Sequence, residues 1–533
     1  MARILIFIFL LLNSSLQAKI LPAENSKLNY RLVGFSCFEN DRQDSMVNFE
    51  LAIGRWTNEA DFKKNILLRK VNTKGKVIID VPYFGKEYTW RSINSQNTKS
   101  DFHHFSIVIS GEADTNVTRM TILKPAEKYK DAYVFEDGAN ALFDMEGKAV
   151  WYLPSSGSLN PRKNGVMDLK LTPHGTVTFI SANNIYETNY SGKILWKGPN
   201  TGEVSGDSTE HYHHEFTRLA NGHYMALGTE FVSIDSSDFL IDHGKDDYLP
   251  WVTKDKNRGK KTPFGTLIEY DEKGKVVWSW KLSQYFLDND KRYLNANYYD
   301  RSGPYSIIDV HANAFYFDEK TRELYLSLKN INSIFKIKYP EGDVLNICGQ
   351  LGNFRVLFEN KPDFCGQHSC KTTKDGALFL FNNNTCNKGE LPKIMVFDQP
   401  KGNGGELQPK GKVGELQSKW EYAINLDDVV AYKEKEAKKI SDTIKIAPPS
   451  VLATLGIYSK GGNIVELPDN SLFASICGAY GKAFILSPEK KILWSALLEK
   501  YNPYKNKWED VINYKANIIT DREQLEKFFW NVE

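Results

Sequence analysis

The chain has 533 residues, 41% of them hydrophobic and 13% aromatic, enough for a large buried core and too many for one small domain. Its 68 Lys and Arg are interleaved with 66 Asp and Glu, for a formal charge of +2. No basic stripe of the kind a nucleic-acid binder needs is present, so no nucleic-acid partner is expected.

The N-terminus opens on Met1-Ala2-Arg3, runs apolar over residues 4–12 and leaves through Asn13-Ser14-Ser15-Leu16-Gln17-Ala18. A basic start, a short apolar core and a small-residue exit predict a cleaved signal peptide over 1–18 and a periplasmic or secreted destination. The run is about half the roughly 20 residues that span a bilayer, and no later stretch is long enough, so no membrane span is expected. In an exported chain the six cysteines are candidates for disulfides.

Residues 19–122 alternate apolar and polar, as in Phe105-Ser106-Ile107-Val108-Ile109, without helical periodicity. This predicts a small β-sandwich in which His103 and His104 belong to a strand rather than to a site.

From residue 123 to 533 one phrase returns: an apolar strand, a tight turn, and a short strand closing on Trp. It ends at Trp151, Trp196, Trp278 and Trp494, with degraded copies ending at Asn346 and Trp420. Six hairpins spaced by roughly 45 to 80 residues, with almost no helix between them, predict an all-β protein whose catalytic domain is a six-bladed β-propeller. A solenoid is the alternative, but its repeats are shorter and more even.

A second phrase lies between the Trp copies. Met167-Asp168 leads to Gly175, His214 to Gly222, His368 to Gly376 and Gly462 to Asn470, each a strand entering a turn that demands positive φ. These are predicted as the inner strands. His214 and His368 each stand eight residues before their turn glycine, and Ile308-Asp309-Val310-His311-Ala312-Asn313 starts a third such strand on a histidine. Three of the ten histidines would therefore meet at one mouth of the central channel. A hairpin about Lys320-Thr321 would return Lys329 opposite His311.

Taken singly, an inner-strand histidine is more often a hydrogen-bonded filler than a catalyst, and Lys329 alone a solvated lysine. Together they make a site of unsettled chemistry. Three imidazoles can hold Zn²⁺ with an open position, with His211-Tyr212-His213 nearby as further ligands. A neutral imidazole can instead attack sulfur or phosphorus while a second one protonates the leaving oxygen. The lysine favours an anionic substrate over a metal.

The phrases His213-His214-Glu215 with Asn221-Gly222, Asp309-Val310-His311-Ala312-Asn313, Leu326-Ser327-Leu328-Lys329 and Gly366-Gln367-His368 resemble, in order and spacing, motifs of the bacterial arylsulfate sulfotransferases. The resemblance implies a six-bladed propeller that moves a sulfuryl group from a phenolic sulfate to a phenol, with no cofactor, no metal and no nucleotide sulfate donor. It implies His368 as the nucleophile that becomes N-sulfated, His311 as general acid and base, His214 as a holder of the sulfuryl oxygens, and Lys329 and Asn313 as substrate-binding residues. A ping-pong mechanism follows from the covalent intermediate.

Two departures stand out. The family usually carries Arg, a two-pronged donor, where this chain has Lys329. Cys365 and Cys370 straddle His368, whereas the family's disulfide precedes it; a hairpin turning at Asp375-Gly376 would pair Cys365 with Cys386 instead. The competing functions are a metal-dependent hydrolase or lyase on the same propeller, and a propeller that only binds a ligand. The sequence leaves a homodimer open, along with the roles of the inserts 229–264 and 399–419.

Overall fold

The computed structural model describes residues 20–37, 46–72, 75–108, 118–155, 164–233, 261–289, 310–349, 363–399, 417–441 and 444–532. The expected leader over 1–18, Asp309, and the inserts at 234–260 and 400–416 lie outside these residues. Among the described residues no helix is long and apolar enough to cross a membrane.

The chain divides into two compact units, Met1–Ile109 and Ser110–Glu533. The first holds a five-stranded sheet, in the order Ser26–Leu28, His103–Ile107, Lys86–Ile93, Val47–Ile53 and Ile66–Asn72, and a two-stranded sheet of Leu32–Ser36 with Lys76–Asp80. The sheets meet through Phe35, whose ring lies 5.2 Å from Trp90, 5.8 Å from Phe105 and 6.3 Å from Phe49. Burying these large rings between two sheets is what alternation predicts for a sandwich. His104 hydrogen-bonds Glu24 and the Trp56 carbonyl, and His103 packs on Trp90, so both serve the strand they belong to. The boundary falls earlier than 122 because Thr118–Lys124 pairs with Ile492–Asn502 in the second unit.

In the second unit the described residues form six antiparallel sheets. Four begin on the strands Met167–Leu171, Phe216–Arg218, Ala312–Asp318 and His368–Thr372, and each holds four strands in chain order. A fifth begins on Asn463–Glu466 and gains Lys507–Asp510 and Thr118–Lys124 at its far side. In the remaining sheet Tyr133–Glu136, Ala141–Asp144 and Ala149–Tyr152 receive their first strand, Ala516–Ile519, from the C-terminus. The helix Arg522–Trp530 then seats Phe528 against Trp151, Phe135 and Tyr190 of this and the following sheet.

The recurrent tryptophans explain how the sheets succeed one another. The Trp151 indole donates to the Tyr190 carbonyl, Trp278 to Pro340 and Trp494 to Met145, each in the next sheet of the series. Trp196 stacks on Tyr224 of the next sheet, and Lys490 sits over Trp420. A large ring with one donor closes the last strand of a sheet and finds its partner in the neighbour. Because Trp494, in the last sheet, reaches Met145, in the first, the succession returns on itself. The unit is a β-propeller. Gly175, Gly222, Gly376 and Asn470, predicted to need positive φ, all have it.

Candidate active site

The first strands converge at their N-terminal ends. His214 lies with its ring centroid 5.2 Å from that of His311 and 6.4 Å from that of His368. Lys329 follows the strand Glu323–Leu328, and its N–H donates to the His311 carbonyl, so the hairpin from His311 returns it opposite that residue. The three histidines and the lysine predicted for the site are thus brought together. The two histidines equivalent by turn register differ in backbone. His214 itself is left-handed (φ 61°), whereas beside His368 the left-handed residue is Ser369 (φ 51°), at a bulge in the pairing. His311 is left-handed as well, at φ 53°.

His368 is buried and its ring is fixed at both nitrogens. Nδ1 lies 2.8 Å from Asn383 Oδ1 and Nε2 accepts from the Gly461 N–H at 3.1 Å. Asn383 cannot be turned over, since its amide nitrogen donates to the Tyr458 and Gly461 carbonyls. Its oxygen must face His368, so Nδ1 carries the proton and Nε2 the lone pair. Burial, followed by the charge of Lys329, pushes the His368 imidazole down to about 3. It is therefore neutral, with a basic nitrogen at Nε2.

His214 is held through His213. His213 Nε2 faces the Gly228 carbonyl at 3.2 Å and must carry hydrogen, so in a neutral ring its Nδ1 accepts, at 2.6 Å, from His214 Nδ1. His214 thus keeps its lone pair on Nε2, and burial, with the neighbouring His213, holds its imidazole well below the ordinary range. His211 Nε2 lies 3.6 Å from Asp207 Oδ2.

Beneath His214 four charges lie together, Asp168, Glu215 and Lys515 buried and Lys170 half-buried. Lys170 Nζ lies 2.7 Å from both Asp168 Oδ2 and Glu215 Oε1. Lys515 Nζ reaches Asp168 Oδ1 at 3.3 Å, the His214 carbonyl at 3.3 Å, and Glu215 Oε2. Asp168 also accepts the Phe216 N–H at 2.9 Å, so the two residues that follow His214 are fixed. Burial would raise the Glu215 carboxyl, but the two lysines outweigh it and hold it at about 2.

Tyr514, on the C-terminal segment, faces the rings of His214 at 5.8 Å and His368 at 6.3 Å, and its buried hydroxyl has no hydrogen-bond partner among the described residues. Asn313 is buried too; its amide donates to the Gln367 carbonyl at 2.7 Å, tying its strand to the residue before His368, while its Oδ1 is unpaired among the described residues. Cys365 and Cys386 form a disulfide.

Tyr514, Asn383, Gly461, Lys170 and Lys515 were not found by sequence reasoning. One signal for the C-terminal pair existed: six closing strands are matched by only five first-strand phrases, so a first strand was owed from elsewhere.

The Arylsulfotransferase (ASST) family model matches residues 108–247 and 240–426, more than half of the chain. The chain belongs to the arylsulfotransferase family. That match spans the strands bearing His214, His311 and His368 and stops before Gly461 and Tyr514. No curated protein matches this arylsulfotransferase. Among solved structures it is similar to a protein of unknown function from Bacteroides caccae (11% identity, TM-score 0.37, covering 73% of this chain and 98% of that one). It is similar also to the Pseudomonas aeruginosa periplasmic gluconolactonase (8%, 0.32, 75% and 99%) and to a putative 6-phosphogluconolactonase from Bacteroides fragilis (10%, 0.30, 90% and 100%). At these scores the likenesses carry no information on chemistry.

Proposed function

We propose that this arylsulfotransferase moves a sulfuryl group from an aryl sulfate to a phenolic acceptor through a sulfohistidine at His368, on a propeller with one blade for each of the six sheets, in the periplasm or outside the cell. The observation that carries the reading is the state of His368: a buried, neutral imidazole whose proton is fixed on Nδ1 and whose lone pair is on Nε2, with the His214 ring 6.4 Å away between centroids and His311 5.2 Å beyond His214.

In the first half-reaction Nε2 attacks sulfur as the S–O(aryl) bond breaks. The departing oxygen, a phenolate whose parent pKa is near 10, takes a proton from protonated His311. The ring becomes an N-sulfo imidazolium, and the Nδ1–H bond to Asn383 stabilises its charge. In the second, the incoming phenol gives its proton to His311 and takes the sulfuryl group, freeing Nε2. Lys329 supports the sulfuryl oxygens as charge builds on them, and His214 joins it once the arriving anion draws a proton onto its Nε2. Asn313 serves the site by holding Gln367, next to His368.

Both ring nitrogens of His368 are engaged by neutral groups, and a lysine stands by, which favours this reading over a metal hydrolase. The test is to incubate the protein with an aryl sulfate and no acceptor. A burst of phenol and a sulfuryl adduct on the peptide carrying His368, both lost in His368→Ala, are expected. Steady release of phenol without adduct, stopped by a chelator, would transfer the case to a metal-dependent hydrolase; tight binding without release would leave a ligand-binding propeller.

A further inference from the structure

His368, Asn383 and Gly461 close a ring of hydrogen bonds. His368 Nδ1–H donates to Asn383 Oδ1 at 2.8 Å, Asn383 Nδ2 to the Gly461 carbonyl at 2.9 Å, and the Gly461 N–H back to His368 Nε2 at 3.1 Å. All three links are buried. A neutral imidazole has one in-plane lone pair, and here the Gly461 amide occupies it.

Resting on the sulfotransferase reading, we infer that the Gly461 backbone amide is a catalytic group of this site and that Asn383 is its positioning residue. In the resting enzyme the amide caps the nucleophile. As the Nε2–S bond forms and the S–O(aryl) bond breaks, Nε2 no longer has a lone pair to offer. The Gly461 N–H then loses its acceptor beside three sulfuryl oxygens carried by an atom bonded to that same nitrogen. It turns onto one of them, a donor already aimed where charge develops.

The local sequence fits this duty. Gly461 and Gly462 have φ of +92° and +107°, conformations that L side chains rarely adopt. A Cβ on Gly461 would lie 2.5 Å from the Tyr514 carbonyl oxygen, and one on Gly462 2.4 Å from the Phe381 ring. The Gly462 N–H donates to that same Tyr514 carbonyl at 3.0 Å. The double glycine is thus what lets the chain pass close enough for the Gly461 N–H to reach His368 Nε2. Asn383 acts at both ends of the device: its oxygen sets the proton on Nδ1 and its amide holds the Gly461 carbonyl.

The experiment uses the full chain labelled with 15N-histidine, His368 being assigned by its loss in His368→Gln. The imidazole 15N shifts are expected to show hydrogen on Nδ1 and a hydrogen-bonded lone pair on Nε2, with the Nε2–H form gaining population in Asn383→Ala. In single-turnover reactions with 4-nitrophenyl sulfate, Asn383→Ala and Gly461→Ala should each slow the burst about a hundredfold with KM changed a few-fold. Gly461→Ala should do so without changing the tautomer. A proton on Nε2 in the wild type, or a burst within threefold of wild type in Gly461→Ala, would overturn the inference. If the wild type shows no burst, the sulfotransferase reading fails, and the 15N shifts still decide the ring; they also decide it if Asn383→Ala does not fold.

Discussion

The strands that carry His214 and His368 enter equivalent turns, yet the backbone of the one and the ring of the other are fixed by opposite means. Around His214 the backbone is fixed by charge: Lys515 on its carbonyl, Asp168 on the next-but-one N–H, Lys170 and Glu215 completing a largely buried set of two cations and two anions. Around His368 the contacts are neutral, an asparagine side chain and a glycine amide. The difference suits the nucleophile proposed at His368. A carboxylate against His368 would favour the imidazolium, which has no lone pair; an amide oxygen fixes the tautomer and leaves the ring neutral. The acidic groups stand instead at His214, where each is offset by a lysine.

Removing one charge should break the first kind of support hardest. Lys515→Met leaves Asp168 and Glu215 with a single cation in a buried place, and should cost about 3–5 kcal/mol in urea unfolding. Adding Glu215→Gln to it should return about half of that loss. If Lys515→Met costs under 1 kcal/mol, the charged set does not hold the strand.

Acid should act on the second kind. Above about pH 6.5 neither folded nor unfolded chain protonates His368; as pH falls, the unfolded chain takes a proton the native ring refuses down to about 3. Native stability is therefore lost across that window, by about 2 kcal/mol between pH 7 and pH 5 relative to His368→Gln. By the same sign the burst rate should show no titration of His368 near its ordinary value.

Tyr514→Phe sharpens the comparison further, because the buried hydroxyl of this residue, whose ring faces both imidazoles, has no hydrogen-bond partner among the described residues. Its removal should leave stability unchanged or raise it by about 1 kcal/mol, while kcat/KM falls about tenfold if the hydroxyl meets the bound ester. Equal activity in Tyr514→Phe would make the residue a spacer. The smallest effect is expected from Lys329→Arg: a forked donor in place of a point charge should tighten binding of inorganic sulfate a few-fold, read by calorimetry, with little change in fold stability.

Much of this was legible from the chain. The tryptophan phrases marked the closing strands, and each of those rings proved to reach the next sheet. The turn glycines and Asn470 have the positive φ their phrases required. The offset of eight residues placed His214 and His368 at one mouth, and the hairpin after His311 brought Lys329 opposite it. What offsets could not give was backbone detail: the left-handed residue falls on His214 in one strand and on Ser369 in the other, since Lys515 draws on the His214 carbonyl whereas Ser369 Oγ donates to Asn463.

The sequence by itself determined the fold class and the set of histidines, because those depend on periods and turn chemistry that neighbours in the chain dictate, and it pointed to the family through the motifs around those histidines. Only the tertiary structure decided the protonation state of His368. Asn383 and Gly461 meet His368 from 15 and 93 residues away, and Lys515 meets Glu215 from 300. A proton's position on an imidazole is set by whichever groups lie against its two nitrogens, and closing a ring of sheets chooses those groups without regard to their separation along the chain.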